Sequence, residues 1–134
     1  MRKLFNRPQA ESEELLELRA IVAAVHLSQA VIEFDLDGVV LDANANFLAV
    51  LGYELSEIKG RHHRMFVDPA EAGSPAYAEF WKRLNAGEFV ADKFVSYGKN
   101  GKRAVIEASY NPIFDVNGKP YKVVKFAIDV TAVE

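Results

Sequence analysis

With 134 residues, half of them hydrophobic and 26% charged, the chain has the size and balance of one globular domain around one core. A formal net charge of −3 without a basic stripe argues against a nucleic-acid binder, and the lack of cysteine removes disulfides, thiolate metal sites and cysteine nucleophiles. No apolar run approaches the roughly 18 residues that span a bilayer. The charged start Met1–Phe5 runs into Asn6-Arg7-Pro8 where a signal peptide needs its apolar stretch, so the expected location is the cytoplasm.

In chain order, residues 1–9 read as a loose tail and residues 10–28 as an amphipathic helix, with Glu11, Glu13 and Glu14 placed to complement the dipole at its start. Leu15, Leu18, Val22 and Val25 recur at heptad a/d spacing, the pattern of a helix that pairs with its twin, and mark a candidate homodimer interface. Ala30–Leu36 reads as a strand, Asp37-Gly38 as a hairpin turn and Val39–Ala43 as the return strand. Asn44 caps a short helix that Gly52 ends, and Ser56–Ile58 adds one helical turn stopped at Gly60.

Arg61–Gly73 reads as irregular. Ser74 and Pro75 then open a helix carrying Tyr77, Phe80, Trp81 and Leu84 on one face and ending at Gly87. Three strands follow. They are Phe89–Tyr97, Arg103–Phe114 with an interruption at Asn111-Pro112, and Tyr121–Val130, joined by turns at 98–101 and 115–118. Along the last strand Tyr121, Val123, Lys125 and Ala127 face one way, and Lys122, Val124, Phe126 and Ile128 the other. Consecutive hairpins with helices grouped between them predict an α+β domain whose antiparallel sheet is covered on one face by helices. No nucleophile–base pair, paired carboxylates or phosphate loop points to an enzyme; Gly98–Lys102 lacks the phosphate-loop pattern.

Several segments taken together resemble a PAS domain over residues 27–131. Ala30–Gly38 is similar to its opening hairpin, and Asn44-Ala45-Asn46-Phe47 with Leu51-Gly52-Tyr53 to its first helix pair. Glu57–Val67 and Phe80–Leu84 with Gly87-Glu88-Phe89 resemble the PAS domains at the front of soluble methyl-accepting chemotaxis receptors. Ala108–Ile113 resembles the long strand late in the fold, and Asp129-Val130-Thr131 the closing signature that leads to an output helix. The resemblance implies a PAS fold with a five-stranded sheet, and sensing and relay rather than catalysis. It divides the chain into a tail and cap helix (1–28), a sensor domain (29–131) and the start of a linker (132–134) to an output domain absent from this chain.

The resemblance also directs attention to a cofactor. His63, or else His62, is the candidate haem iron ligand, since chemoreceptor PAS domains bind haem b through a histidine near this segment; at most one of two adjacent residues in an extended stretch faces inward. Some gas-sensing relatives place a tryptophan on the last strand, where this chain has Val124, Phe126 and Ile128. Flavin is the competing cofactor, with Trp81, Asn44 and Asn46 as candidate contacts, though adduct photochemistry is excluded without cysteine. An empty or small pocket, in a domain that only mediates dimerisation and relay, is the third expectation. Asp129 and Thr131 are the candidate relay residues at the exit from the domain, and His26 is expected to interact with the end of its own helix or to cap the domain.

Overall fold

The computed structural model describes residues 7–133, with side chains from Ser12 onward. Helix α1 spans Arg7–Ser28, so the expected tail of 1–9 lies partly in the helix and otherwise outside the described residues. Proline within a first turn gives up no helical hydrogen bond, which lets the helix begin before Pro8. The expected dipole complement is corrected accordingly: the first turn holds no acid, and Glu11, Glu13 and Glu14 lie past it.

Five strands form one antiparallel sheet in the order β2-β1-β5-β4-β3: β1 Ala30–Phe34, β2 Val40–Ala43, β3 Val90–Tyr97, β4 Arg103–Phe114 and β5 Pro120–Asp129. The two chain halves meet where β1 pairs β5, from Ala30 opposite Ala127 to Phe34 opposite Val123. Two hairpins close through the same side-chain device. Asp35 Oδ1 accepts from the amides of Asp37 and Val39, and Asp115 Oδ1 from those of Asn117 and Lys119, each pre-forming its turn. The expected interruption of β4 at Asn111-Pro112 does not occur: the pairing with β5 runs through Asn111 opposite Val124 and Pro112 opposite Val123. Pro112 lies beyond Tyr110, where β3 ends, so its missing amide costs no bond to that neighbour.

Between β2 and β3 the chain lays helices on one face. They are α2 Ala45–Leu51, α3 Leu55–Ile58, α4 Pro69–Ala72 and α5 Pro75–Asn85, with a 3-10 turn at His63–Phe66. Asn44 caps α2 through its Oδ1 to Phe47 N, and Ser74 caps α5 through its Oγ to Tyr77 N. The segment 61–73 is thus more regular than expected; Asp68 and Pro69 supply the cap and first residue of α4. The core lies between sheet and helices, with Phe34, Ile32, Leu51, Ile58, Phe66, Leu84 and Val123 fully enclosed.

Helix α1 is tied to this body at its C-terminal end. Asn46 Nδ2 donates to the carbonyls of His26 (2.9 Å) and Gln29 (3.1 Å), and Asn44 Nδ2 donates to Gln29 O (2.9 Å). Farther back, Leu15, Leu18, Ile21 and Val22 are exposed, and Val25 is half-buried.

Candidate functional site

The placement of the two adjacent histidines follows from the backbone. Val40 N donates to Arg61 O and His63 N to Gly38 O, so the segment before the 3-10 turn runs against the β1–β2 hairpin as an added extended stretch. Alternation then sends His63 inward and His62 toward the rim. His62 is half-buried and its Nδ1 accepts from Arg64 N. Gly38 makes the approach feasible: at φ +84 a side chain would be strained, and a Cβ would meet His62 Nε2 at 2.8 Å and the Trp81 ring at 3.1 Å.

His63 is 4% exposed and sits among the rings of Phe34, Phe66, Tyr77, Phe80, Trp81 and Tyr110, with centroids 5.3–6.1 Å away. Tyr77 Oη lies 2.7 Å from its Nδ1 and Tyr110 Oη 2.9 Å from its Nε2. A neutral imidazole carries one donor and one acceptor nitrogen, so either tautomer satisfies both contacts. Burial holds this imidazole well below its ordinary pKa, the Lys125 charge adding to the effect, and burial pushes the Tyr110 phenol upward. The result is a neutral strut, Tyr77–His63–Tyr110, from α5 across the interior to β4.

Lys125 is the residue that sequence reasoning left without a role. Alternation put it in one row with Val123 and Ala127 without saying which row the helices cover, and the structure buries it completely. Among the described residues its Nζ has no hydrogen-bond partner; it lies 4.9 Å from the Tyr110 ring and 5.7 Å from that of Phe47. Desolvation lowers its pKa to about 7.

Beside the strut opens a cavity of about 310 Å³, bounded by Val67, Glu71, Tyr77 and Phe80 on the helical side and by Val90, Asp92, Phe94 and Ser96 of β3, with His63 and Tyr110 at its inner end. That size is at the small end of ligand pockets, which run from about 300 to 1,000 Å³. Of the residues expected at a cofactor, His63 lines the cavity and His62, Asn44 and Trp81 do not. Asn44 is spent on architecture: its Oδ1 accepts from Val31 N and Phe47 N, and its Nδ2 reaches Gln29 O and His26 Nδ1. Asn46 likewise clasps the end of α1. Trp81 packs edge-on against Phe34 and His63. Of the two expectations for His26, the contact with Asn44 agrees with a cap on the domain.

At the exit from the sheet, Thr131 Oγ1 accepts from Val105 N (2.9 Å) and donates to Asp129 Oδ1 (2.6 Å), while Val130 N donates to Val105 O (2.8 Å). These bonds keep the Asp129 carboxyl below its usual range. The exit is therefore fastened to β4, the strand that carries Tyr110.

The sequence that builds this sheet, its helices and the cavity matches the family model of the PAS fold over residues 25–134. The chain belongs to the PAS fold family. It is a sensor module rather than an enzyme. The biofilm dispersion protein BdlA of Pseudomonas aeruginosa is 50% identical over 115 residues, 86% of this chain and 28% of BdlA, so the chain spans little more than a quarter of that relative. Among solved structures, a light-oxygen-voltage domain characterised through a flavin analogue superposes with TM-score 0.69 at 25% identity, over 83% of this chain and 84% of that one. A PAS domain from Colwellia psychrerythraea gives TM-score 0.72 at 22% identity, over 88% and 98% of the two chains. No helix among the described residues is long and apolar enough to cross a membrane.

Neither expected cofactor fits this PAS interior as it stands. Haem ligation needs a free imidazole nitrogen, and both nitrogens of His63 are engaged by tyrosine hydroxyls. The expectation of haem also has no support among these relatives. For flavin, the space between sheet and helices is filled by Phe34, His63, Trp81 and Tyr110, and the candidate amides of Asn44 and Asn46 are turned to α1.

The uncompensated Lys125 has a thermodynamic consequence. Its pKa is lower folded than unfolded, so the unfolded chain binds more protons above pH 7, and stability rises with pH there by up to about 1.4 kcal/mol per unit. Urea unfolding between about pH 7 and pH 9 is expected to show this rise. Lys125→Met removes the slope and stabilises the fold at pH 7, because an apolar chain of similar length needs no partner.

Proposed function

We propose that this PAS module senses a small molecule in the cavity beside His63 and relays its presence through β4 to the chain that follows Thr131. The observation that carries this reading is the strut itself. Tyr77, His63 and Tyr110 line the cavity and also join α5 to β4, so an occupant that competes for either hydroxyl alters the tie between the two layers. Five residues before Tyr110, Val105 holds the Asp129–Thr131 exit. A ligand thereby gains different contacts in two arrangements of one element, which is what coupling requires. The likeness to light-oxygen-voltage domains supports a sensor role and makes flavin the cofactor class to compare with a colourless ligand; the filled interior favours the latter.

The 50% identity to BdlA, together with the resemblance to chemoreceptor PAS domains, supports a place in a cytoplasmic chemoreceptor or a related signal transducer. Residues 29–131 form the sensor in this reading, and 132–134 begin the linker to an output domain. Two copies pair through α1, whose Leu15, Leu18, Val22 and Val25 recur at heptad spacing while Asn46 holds the helix to the body at its C-terminal end. A dimer places two such exits side by side for one output.

Replacing Tyr110 by Phe removes the hydroxyl at the β4 end of the strut and little else. Amide hydrogen exchange at Val105 and Val130 is expected to accelerate several-fold in Tyr110→Phe while the sheet centre at Ile32 and Val124 stays protected. Unchanged exchange at the exit would separate the strut from the relay. For the dimer, light scattering on the intact chain is expected to give twice the chain mass, and Leu18→Glu with Val22→Glu to halve it. Equal masses would leave the stripe without a partner.

A further inference from the structure

The lining of the cavity has a chemical bias. Its two charged residues, Glu71 and Asp92, are both acids, and it contains no lysine or arginine. The ion pairs Arg83–Glu88, Lys99–Glu57 and Lys122–Glu33 involve neither acid. Asp92 stands in the β3 row of Val90, Phe94 and Ser96, and both it and Glu71 are exposed, on the solvent side of the lining. His63 adds no charge, since both its nitrogens are used within the strut.

The wall is aromatic. Phe80 and Tyr110 meet edge to face at 4.8 Å, Phe94 and Tyr110 at 5.4 Å, and Phe80 and Phe94 at 6.3 Å, with Tyr77 stacked beside Phe80 at 6.3 Å. Ring faces are electron-rich and attract cations, most strongly where water is excluded. Tyr110 already receives Lys125 Nζ at 4.9 Å from its centroid, although Lys125 does not line the cavity. Arg64, whose charge reaches Tyr77, is exposed and outside the lining.

We propose that the cavity takes a small organic cation, a compact alkylammonium or protonated amine, held against Tyr77, Phe80, Phe94 and Tyr110 and balanced by Glu71 and Asp92. The inference rests on the sensory reading above and names the ligand class for it. An anion would meet two carboxylates. A hard metal ion needs several converging oxygens, and most of this lining is aromatic or aliphatic.

The test titrates the intact chain with choline, with its neutral isostere 3,3-dimethylbutan-1-ol and with the anion pivalate, following the amides of Phe94, Ser96 and Tyr110 by NMR. Choline is expected to shift them saturably, and at least about tenfold more tightly than the isostere, with pivalate inactive. Asp92→Asn is expected to weaken choline by about three- to tenfold without moving the isostere's affinity, and Asp92→Glu to restore it. Glu71→Gln repeats the measurement on a second element, should Asp92→Asn change the fold. Equal or tighter binding of the isostere or of pivalate at these amides would overturn the cation and leave the sensory cavity standing. Failure of all three compounds to move them would overturn both.

Discussion

A histidine enclosed by six aromatic rings must remain neutral and must keep both ring nitrogens satisfied, and much of this structure follows from that requirement. Charging it there would cost far more than its ordinary pKa provides for. Tyr77 and Tyr110 meet the requirement from opposite layers, which converts a local need for hydrogen bonds into a tie between α5 and β4. Losing either hydroxyl leaves a buried nitrogen unpaired, a larger penalty than the net gain of one bond. The tie is therefore sensitive to anything that competes for it, and the cavity opens next to it.

Lys125 sharpens the picture. A second buried titratable group, with no hydrogen-bond partner among the described residues and adjacent to the Tyr110 ring, has a charge that fades near neutrality. Its neighbour on the pairing, Tyr110 opposite Lys125, places the lysine at the β4 end of the strut. The buried His63 and Lys125 thus lie along one line from α5 to β5, with Ser96 of β3 a further buried polar residue.

Much of the fold was legible in the residues because local chemistry and tertiary need agree. The Asp35 and Asp115 turns, the Asn44 and Ser74 caps and the alternation along β5 all belong to short-range rules that the packing then reuses. Misreadings came where two rules compete. Pro112 signals a break, yet it lies past the end of β3 and the strand continues. Asn44 carries the amide a cofactor contact needs, and it is consumed by capping α2 and clasping α1. The inward turn of His63 follows from alternation only once the backbone bond to Gly38 is known, and that bond joins residues 25 positions apart, 63 − 38. Lys125 could have been singled out: a charged residue in a buried alternating row is a conflict visible without coordinates.

The most direct measurement is nitrogen NMR of the histidine side chains across about pH 5 to 8, a range in which an ordinary imidazole titrates. The account predicts that His63 stays neutral throughout, with one protonated and one bare ring nitrogen, each hydrogen-bonded, and that its signals move in Tyr77→Phe or Tyr110→Phe. A His63 that titrates near its ordinary value, or whose signals ignore both tyrosine substitutions, would contradict the strut on which the sensing and relay depend.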